Sequence, residues 1–354
     1  MIDEQILDLA QKLISVPSTK DKPEQLQEVL EVAKQELADF TIEEFASNGI
    51  PSILVYFGDT RPEKFKVILN AHLDVVPAQE SQFKPEVKDG KLYGRGAYDM
   101  KAAGAVELLV FKELAKKVSY PLALQLVTDE EIGGHNGAKY QIEQGVRADF
   151  VIAGENTDLT IINRAKGVIW AKIITKGATA HGAYPWLGKN ALIRMNKIVE
   201  KINTDYPIPT EAAWKTTINV ATMETTNDTF NKVPDLCELK LDIRFIPEDA
   251  EKVEQYILGL KTDDIDVEIM FKEPLHFTPE DNEYVRKLKE VIGAESKILP
   301  HHGASDIRHF NVAGVDGIEF GPRGAGHHTD SEWVEVESLQ EYYEILHTFL
   351  LQLN

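Results

Sequence analysis

Two adjacent acids, Glu130 and Glu131, follow the apolar run from Leu122 to Val127 in the segment TDEEIGGHN. Neighbouring side chains on an extended backbone point to opposite sides. At the rim of a strand, one carboxylate can therefore hold a metal ion while the other faces an open cleft. A pair of acids alone is more typical of a solvated turn, but three other segments carry matching chemistry: HLDVVP from His72, GRGAYDMK from Gly94 to Lys101, and GHHTDSEW with His327 and His328.

The candidate ligands in these segments each have an ordinary structural alternative. His72 and Asp74 are two residues apart at a strand end, where the carboxylate can orient the imidazole. Asp99 precedes a helix, so it either caps that helix or bridges two metal ions about 3.5–4 Å apart. Glu155 in AGENT and His328 in HTDSEW would otherwise be a loop acid and a surface histidine. Such nitrogen and oxygen donors suit zinc, and also cobalt or manganese.

The composition excludes several classes of protein. Cys237 is the only cysteine of the 354 residues, which precludes an intrachain disulfide and a cysteine-based zinc site. A formal charge of −20 argues against nucleic acid as a partner. No stretch approaches the roughly 18 apolar residues of a membrane helix. The acidic, amphipathic start MIDEQILDLAQKL lacks the features of a signal peptide, so we expect a cytoplasmic protein.

The first 165 residues alternate helical and extended patterns. This order predicts an α/β fold with a mostly parallel mixed sheet and helices on both faces. In such folds, sites lie beyond the carboxyl ends of the strands. His72, Glu130 and Glu155 each follow a predicted strand, so we expect them to meet at one edge of the sheet.

A second domain is predicted where long extended segments take over, from about Gly167 to Phe271. Within it, residues 237–245 alternate apolar and charged side chains, as in an antiparallel sheet with one wet face. The helical pattern returns after Pro279. The resulting domain boundaries are residues 1–166 and 276–354 for a discontinuous metal-binding catalytic domain, and 167–275 for an inserted α+β lid or dimerisation domain.

The ordered set HLDVVP, GRGAYDMK, TDEEIGG, GENT and HTDSEW resembles the motifs of the di-zinc amide hydrolases. This family includes acetylornithine deacetylase, succinyl-diaminopimelate desuccinylase, aminoacylase and glutamate carboxypeptidase. The resemblance covers nearly the whole chain. It implies a zinc-peptidase-like catalytic domain, a cis peptide after Asp99, and two divalent metal ions, zinc first and cobalt or manganese as alternatives. The implied reaction is hydrolysis of a linear amide bond by a metal-bridging water.

The resemblance also assigns roles by position. One metal ion would be held by His72, Asp99 and Glu155, and the other by Asp99, Glu131 and His328. Glu130 would be the general base, and Asp74 would assist at the catalytic centre. His327 is the alternative to His328, but the family's histidine usually precedes an acid by four residues, as His328 precedes Glu332.

In the inserted domain, GATAHGAYP resembles the family's lid segment. His181 would there polarise the scissile carbonyl, from its own chain or from the partner subunit of a homodimer formed through the lid domain. Asn231 and Arg244 also match lid positions that contact the substrate, and outside the inserted domain Gly303 and Ala304 match a loop that lines the substrate pocket. The guanidinium of Arg244 suits a bidentate grip on a carboxylate, although a salt bridge on the sheet surface is its plain alternative.

The expected substrate is a small N-acyl amino acid or a short peptide, of the kind handled in amino-acid metabolism. HGAYPWLGKN resembles the desuccinylase lid, whereas RAKGV looks more like the acetylornithine type. Ala165 and Lys166 stand where desuccinylases tend to carry paired arginines, which argues against a succinylated substrate. We favour an N-acyl amino acid deacylase, with a metallo-carboxypeptidase or dipeptidase of the same family as the alternative. Two alternatives belong to other functional classes. One is a catalytically inactive metal-binding relative, and the other is a glycosidase with Glu130 and Asp99 as its acid pair.

Overall fold

The computed structural model describes residues 2–354, which form two compact units. Unit 1 comprises residues 2–164, Phe277–Pro300 and Ser305–Asn354, and unit 2 comprises Ala165–His276 and His301–Ala304. The sequence predicted domain joins at 166/167 and 275/276. It assigned residues 301–304 to the catalytic domain, whereas these residues group with unit 2.

The N-terminal part of unit 1 alternates helices with strands. In chain order these are α1 (Ile2–Ile14), α2 (Pro23–Glu36), β1 (Thr41–Ser47), β2 (Ile50–Tyr56), β3 (Phe65–His72), β4 (Glu86–Lys88), β5 (Lys91–Tyr93), α3 (Lys101–Leu114), β6 (Leu122–Val127), α4 (Ala138–Glu143), β7 (Ala148–Ala153) and β8 (Ile161–Ala165).

Unit 2 is built on an antiparallel sheet of four strands in the order β10-β11-β9-β12. Its elements are β9 (Gly167–Lys176), α5 (Ala191–Asp205), β10 (Thr217–Glu224), β11 (Leu236–Phe245), α6 (Ala250–Leu258) and β12 (Ile265–Glu273). Alternate residues of β11, from Cys237 to Phe245, are buried against apolar residues of α5 and α6. One face of this sheet therefore packs on helices, as the period-two pattern predicts.

The chain then completes unit 1. The remaining elements are β13 (His276–Phe277), α7 (Glu283–Ile292), β14 (Ile298–His301), α8 (Ile307–Val312), β15 (Asp316–Glu319), β16 (Gly324–Ala325), β17 (Trp333–Glu335) and α9 (Val336–Leu351). None of the helices formed by residues 2–354 is both long enough and apolar enough to cross a bilayer.

The large sheet of unit 1 has the order β1-β2-β6-β3-β7-β15-β8-β13, with β14 paired to β8. Its four central strands, β6, β3, β7 and β15, are parallel to one another. The flanking pairs β1–β2, β2–β6 and β15–β8 are antiparallel. The predicted mostly parallel mixed sheet is confirmed. A small second sheet has the order β16-β17-β5-β4.

Alternate residues of the central strands enter two different cores. Leu69 and Ile152 pack with apolar residues of α1, α3 and α9, whereas Ile68 and Val151 pack with those of α4 and α8. Burying each such side chain contributes about 1.5–3 kcal/mol. Helices therefore cover both faces of the sheet, as predicted, and its loops at the strand ends remain available for a site.

Candidate metal centre

Three neighbouring parallel strands bring polar side chains to one edge of the large sheet. His72 is the last residue of β3, Glu130 and Glu131 follow β6, and Glu155 follows β7. Since β6, β3 and β7 lie side by side and parallel, their carboxyl ends meet at the same edge. The fold thus places in one neighbourhood residues that are far apart in sequence.

The first cluster consists of His72, Asp99 and Glu155. His72 Nε2 lies 3.1 Å from Asp99 Oδ1 and 4.0 Å from Glu155 Oε2. One potential ligand atom from each residue lies within 4.8 Å of the other two. The other imidazole nitrogen, Nδ1, lies 3.1 Å from the Asp74 carbonyl oxygen and 3.6 Å from its carboxylate, so Nε2 is left to face the cluster.

The second cluster consists of Asp99, Glu131 and His328. His328 Nε2 lies 3.4 Å from Asp99 Oδ2 and 3.1 Å from Glu131 Oε2. Its backbone φ is +60°, in the left-handed region. The neighbouring His327 instead faces the Tyr98 ring, with 6.1 Å between ring centroids.

Asp99 belongs to both clusters, because Oδ1 faces His72 and Oδ2 faces His328. The peptide bond between Asp99 and Met100 is cis, as the resemblance implies, and α3 begins at Lys101. In this position the Asp99 carboxylate can be a ligand of two cations at once.

Burial and neighbouring charged groups shift the pKa values of the ligand candidates. Burial raises the pKa of Glu155 far above the ordinary value of a carboxyl group. For Asp99 the effect of burial is outweighed by hydrogen bonds from His328 and His72, and its pKa is lowered. Asp99 and Glu131 raise the pKa of His328 to about 10. Carboxyl groups and imidazoles therefore lie close together, an arrangement that favours the binding of cations.

The sequence predicted that the acid pair lies on extended backbone. This prediction is wrong. Glu130–Ile132 form a turn of 3-10 helix, and the Asp74 carboxylate accepts hydrogen bonds from the backbone N–H groups of Glu130 at 3.2 Å and Glu131 at 3.1 Å. These bonds stabilise the turn. The turn, rather than strand alternation, directs Glu131 to His328 and leaves Glu130 outside both clusters.

Arg308 of α8 was not anticipated from the sequence. Its Nη1 lies 3.9 Å from Glu130 Oε1, and its guanidinium donates to the carbonyl oxygens of Ser305 and Gly133, both at 2.7 Å. Its side chain is buried. A single arginine in a short helix gives no local signal of such a role, because the contact depends on how α8 packs in the folded unit.

The residues matched to substrate contacts, His181, Asn231, Arg244, Gly303 and Ala304, all belong to unit 2. His181 Nδ1 accepts a hydrogen bond from the Ala183 N–H at 3.1 Å, and Gly182 N–H donates to the Asn231 carbonyl at 2.6 Å. His181 and Asn231 are thus on adjacent segments. Arg244 pairs through Nε with Asp242 at 3.0 Å on the same strand. Gly303 and Ala304 lie in the short return segment of unit 2.

The family described as Peptidase family M20/M25/M40 matches residues 68–352, a span that holds all the residues of both clusters. The chain belongs to this family. It is a hydrolase of the M20 group, and its resemblance to the di-zinc amide hydrolases is confirmed.

This M20-family hydrolase is similar to desuccinylases in sequence and to peptidases in fold. It is 27% identical over 339 residues to a succinyl-diaminopimelate desuccinylase of Rickettsia canadensis, covering 87% of each chain. The fold is similar to that of the aminopeptidase PepT of Bacillus cereus, with a TM-score of 0.80 and 21% identity over 98% of both chains. A dinuclear metal binding peptidase of Bacillus subtilis has a TM-score of 0.70 at 13% identity, over 99% of this chain and 98% of that one.

Proposed function

We propose that this M20-family hydrolase cleaves the amide bond of an N-acylated amino acid at a centre of two divalent metal ions. The observation that carries the proposal is the shared Asp99, whose two oxygens face His72 and His328 in adjoining clusters. Glu130 lies next to the ligand candidate Glu131 in sequence but outside both clusters. This leaves one acid for proton transfer.

The donor atoms fit such ions. His72, Asp99 and Glu155 would hold one ion, and Asp99, Glu131 and His328 the other. Imidazole nitrogens and carboxylate oxygens suit zinc, cobalt or manganese. When bound, the ions supply Lewis acidity toward the substrate carbonyl and make water a better nucleophile near neutral pH.

The side chains around the centre would manage the proton and the developing charge. Glu130 accepts a proton from the attacking water and delivers it to the leaving amine. Asp74 holds the backbone of the 130–131 turn, so the two carboxylates keep separate directions. The family resemblance predicts that His181, a residue of unit 2, donates a hydrogen bond to the carbonyl oxygen as that oxygen becomes negative.

The remaining contacts concern the substrate and stay predictions. Asn231, Gly303 and Ala304 would line the substrate site, and Arg244 would exchange Asp242 for a substrate carboxylate. We also predict a homodimer through unit 2, in which His181 acts within or between subunits. A cytoplasmic location is a further prediction.

Relatives at 26–28% identity are named desuccinylases, which favours a deacylase over a peptidase. The likeness to an aminopeptidase concerns the fold. Ala165 and Lys166, at the positions where desuccinylases tend to have arginines, direct us to acyl groups other than succinyl. A peptidase remains the second candidate because the family includes both activities.

A substrate panel tests the proposal. Purified protein would be stripped with chelator, reloaded with zinc or cobalt, and assayed on acetylornithine, succinyl-diaminopimelate, other N-acetyl amino acids, dipeptides and tripeptides. We expect metal-dependent release of the amino acid from N-acyl substrates. Hydrolysis of peptides alone would establish the second candidate. Full activity in the stripped protein would overturn the two-metal proposal.

A further inference from the structure

A buried carboxylate, that of Glu332, connects the loop of Asp99 with the loop of His328. Glu332 is 2% exposed. Its Oε1 accepts hydrogen bonds from the backbone N–H groups of Tyr98 at 2.9 Å and Asp99 at 3.0 Å. The Gly96 N–H lies 3.1 Å from each carboxylate oxygen. Three backbone donors of the 94–99 loop thus converge on one side chain.

Arg95 of the 94–99 loop binds the 328–332 loop in return. Its guanidinium forms a buried ion pair with Glu332, and its Nη2 donates to the Thr329 carbonyl at 3.0 Å. Thr329 directly follows His328. The 94–99 loop therefore holds the 328–332 loop through Arg95, and the 328–332 loop holds the 94–99 loop through Glu332.

Only the second cluster takes members from both of these loops, since the first includes Asp99 but no residue of the 328–332 loop. Asp99 and His328 are the members of the second cluster that the loops carry. His72 ends β3 and Glu155 follows β7, so the sheet positions them independently of Glu332. Hydrogen bonds to an ionised group are stronger than neutral ones, and ligands held in place beforehand bind a metal ion without a further ordering cost.

We propose that Glu332, paired with Arg95, is a positioning residue that sets the separation of Asp99 and His328 and thereby the affinity of the second cluster for its metal ion. The inference rests on the proposed two-metal centre. Glu332 itself is not among the ligand candidates of either cluster.

Metal affinity of the Glu332→Gln variant tests this assignment. The amide keeps the size of the side chain and one acceptor oxygen, but its NH2 group opposes the Arg95 guanidinium. Zinc binding to stripped protein would be measured by competition with a chromogenic chelator, and folding by circular dichroism. We expect the second ion to bind about 10–100-fold more weakly, the usual range for loss of a group that orients a ligand, with a much smaller effect on the first ion.

Two further variants make the result decisive. Arg95→Met breaks the same connection without changing Glu332 and should also weaken the second ion preferentially. It decides the question if Glu332→Gln does not fold. Glu335→Gln is the matched control, since Glu335 lies three residues further on and pairs with Arg323 instead. It should bind both ions as the wild-type protein does.

Unchanged affinity for both ions in folded Glu332→Gln and Arg95→Met would overturn the assignment. Equal weakening of both ions would also overturn it, because that result indicates general loosening of unit 1. A wild-type protein that binds no zinc would contradict the proposed function itself, and this outcome is separate from the behaviour of the variants.

Discussion

Glu130 and Arg308 face each other in unit 1, with 3.9 Å between Glu130 Oε1 and Arg308 Nη1. This distance is longer than a hydrogen bond. The guanidinium is instead occupied by the carbonyl oxygens of Ser305 and Gly133. A buried positive charge therefore lies close to the Glu130 carboxylate.

Glu130→Gln should separate proton transfer from metal binding. The amide has nearly the same shape as the acid but cannot accept the proton of the attacking water, so we expect turnover to fall by about 10²–10⁴-fold. The metal content should remain at two ions, because Glu130 lies outside both clusters. Turnover is measured with the best substrate of the panel, and metal by elemental analysis.

Glu131→Gln is the adjacent control for this prediction. Its carboxylate belongs to the second cluster, so this variant should lose metal as well as activity. A Glu130→Gln protein with wild-type turnover would exclude Glu130 as the general base.

Arg308→Met should destabilise the fold by about 2–4 kcal/mol, because two carbonyl oxygens lose their hydrogen-bond donors. Urea unfolding measures the change in the free energy of unfolding. Arg286→Met is the control: Arg286 is exposed on α7, and its loss should change stability by about 0.5 kcal/mol or less. Equal unfolding midpoints for the two variants would show that the buried arginine is dispensable.

Glu107→Gln should become more stable than the wild-type protein as the pH rises. Glu107 is fully buried in α3, and its Oε1 accepts a hydrogen bond from Tyr342 Oη at 2.9 Å. Burial raises its pKa well above the ordinary value. The unfolded chain releases this proton near pH 4.3 while the folded chain retains it, so the wild-type protein loses stability above that pH, until the folded-state pKa is reached.

The glutamine side chain does not titrate and avoids this loss. The difference in the free energy of unfolding should therefore grow between pH 5 and pH 8, by at most about 1.4 kcal/mol per pH unit. Thermal or urea unfolding at several pH values measures it. Glu344→Gln, an exposed change on α9, should alter stability by about 0.5 kcal/mol or less throughout. A difference for Glu107→Gln that does not vary with pH would contradict the assignment of a retained proton.

Gly134→Ala should destabilise the protein more than Gly314→Ala does. Both glycines have positive φ, 65° and 76°, so alanine at either position costs about 1–3 kcal/mol of backbone strain. At Gly134 an added Cβ would also lie 2.0 Å from Oδ1 of the buried Asp306, whereas nothing lies within 4 Å of one at Gly314. The steric conflict should add about 1–3 kcal/mol, measured by urea unfolding. Equal losses would mean that Asp306 can move away.

Regular patterns made much of the fold predictable. Alternation from Cys237 to Phe245 identified a half-buried strand, which the structure has as Leu236–Phe245. The helical pattern predicted to return after Pro279 corresponds to α7, α8 and α9. The strands β4, β5, β16 and β17 have only two or three residues each and are too short to show a period, so the small sheet was not predicted.

The site was predictable as a set of residues more than as a geometry. The motifs named every member of the two clusters. They did not give the turn at Glu130, because that turn depends on hydrogen bonds to Asp74, which is distant in sequence. The positions of Arg308 and Glu332 likewise follow from tertiary packing, which no local pattern encodes.

The insertion of unit 2 separates His328 from all the other ligand candidates along the chain. His72, Asp99 and Glu155 all precede residue 165, where unit 2 begins, whereas His328 follows it. A ribosome therefore delivers every donor of the first cluster before it starts on unit 2. The second cluster stays incomplete until the polypeptide has been extended past His328, so full assembly of the centre is a late event in the biosynthesis of this protein.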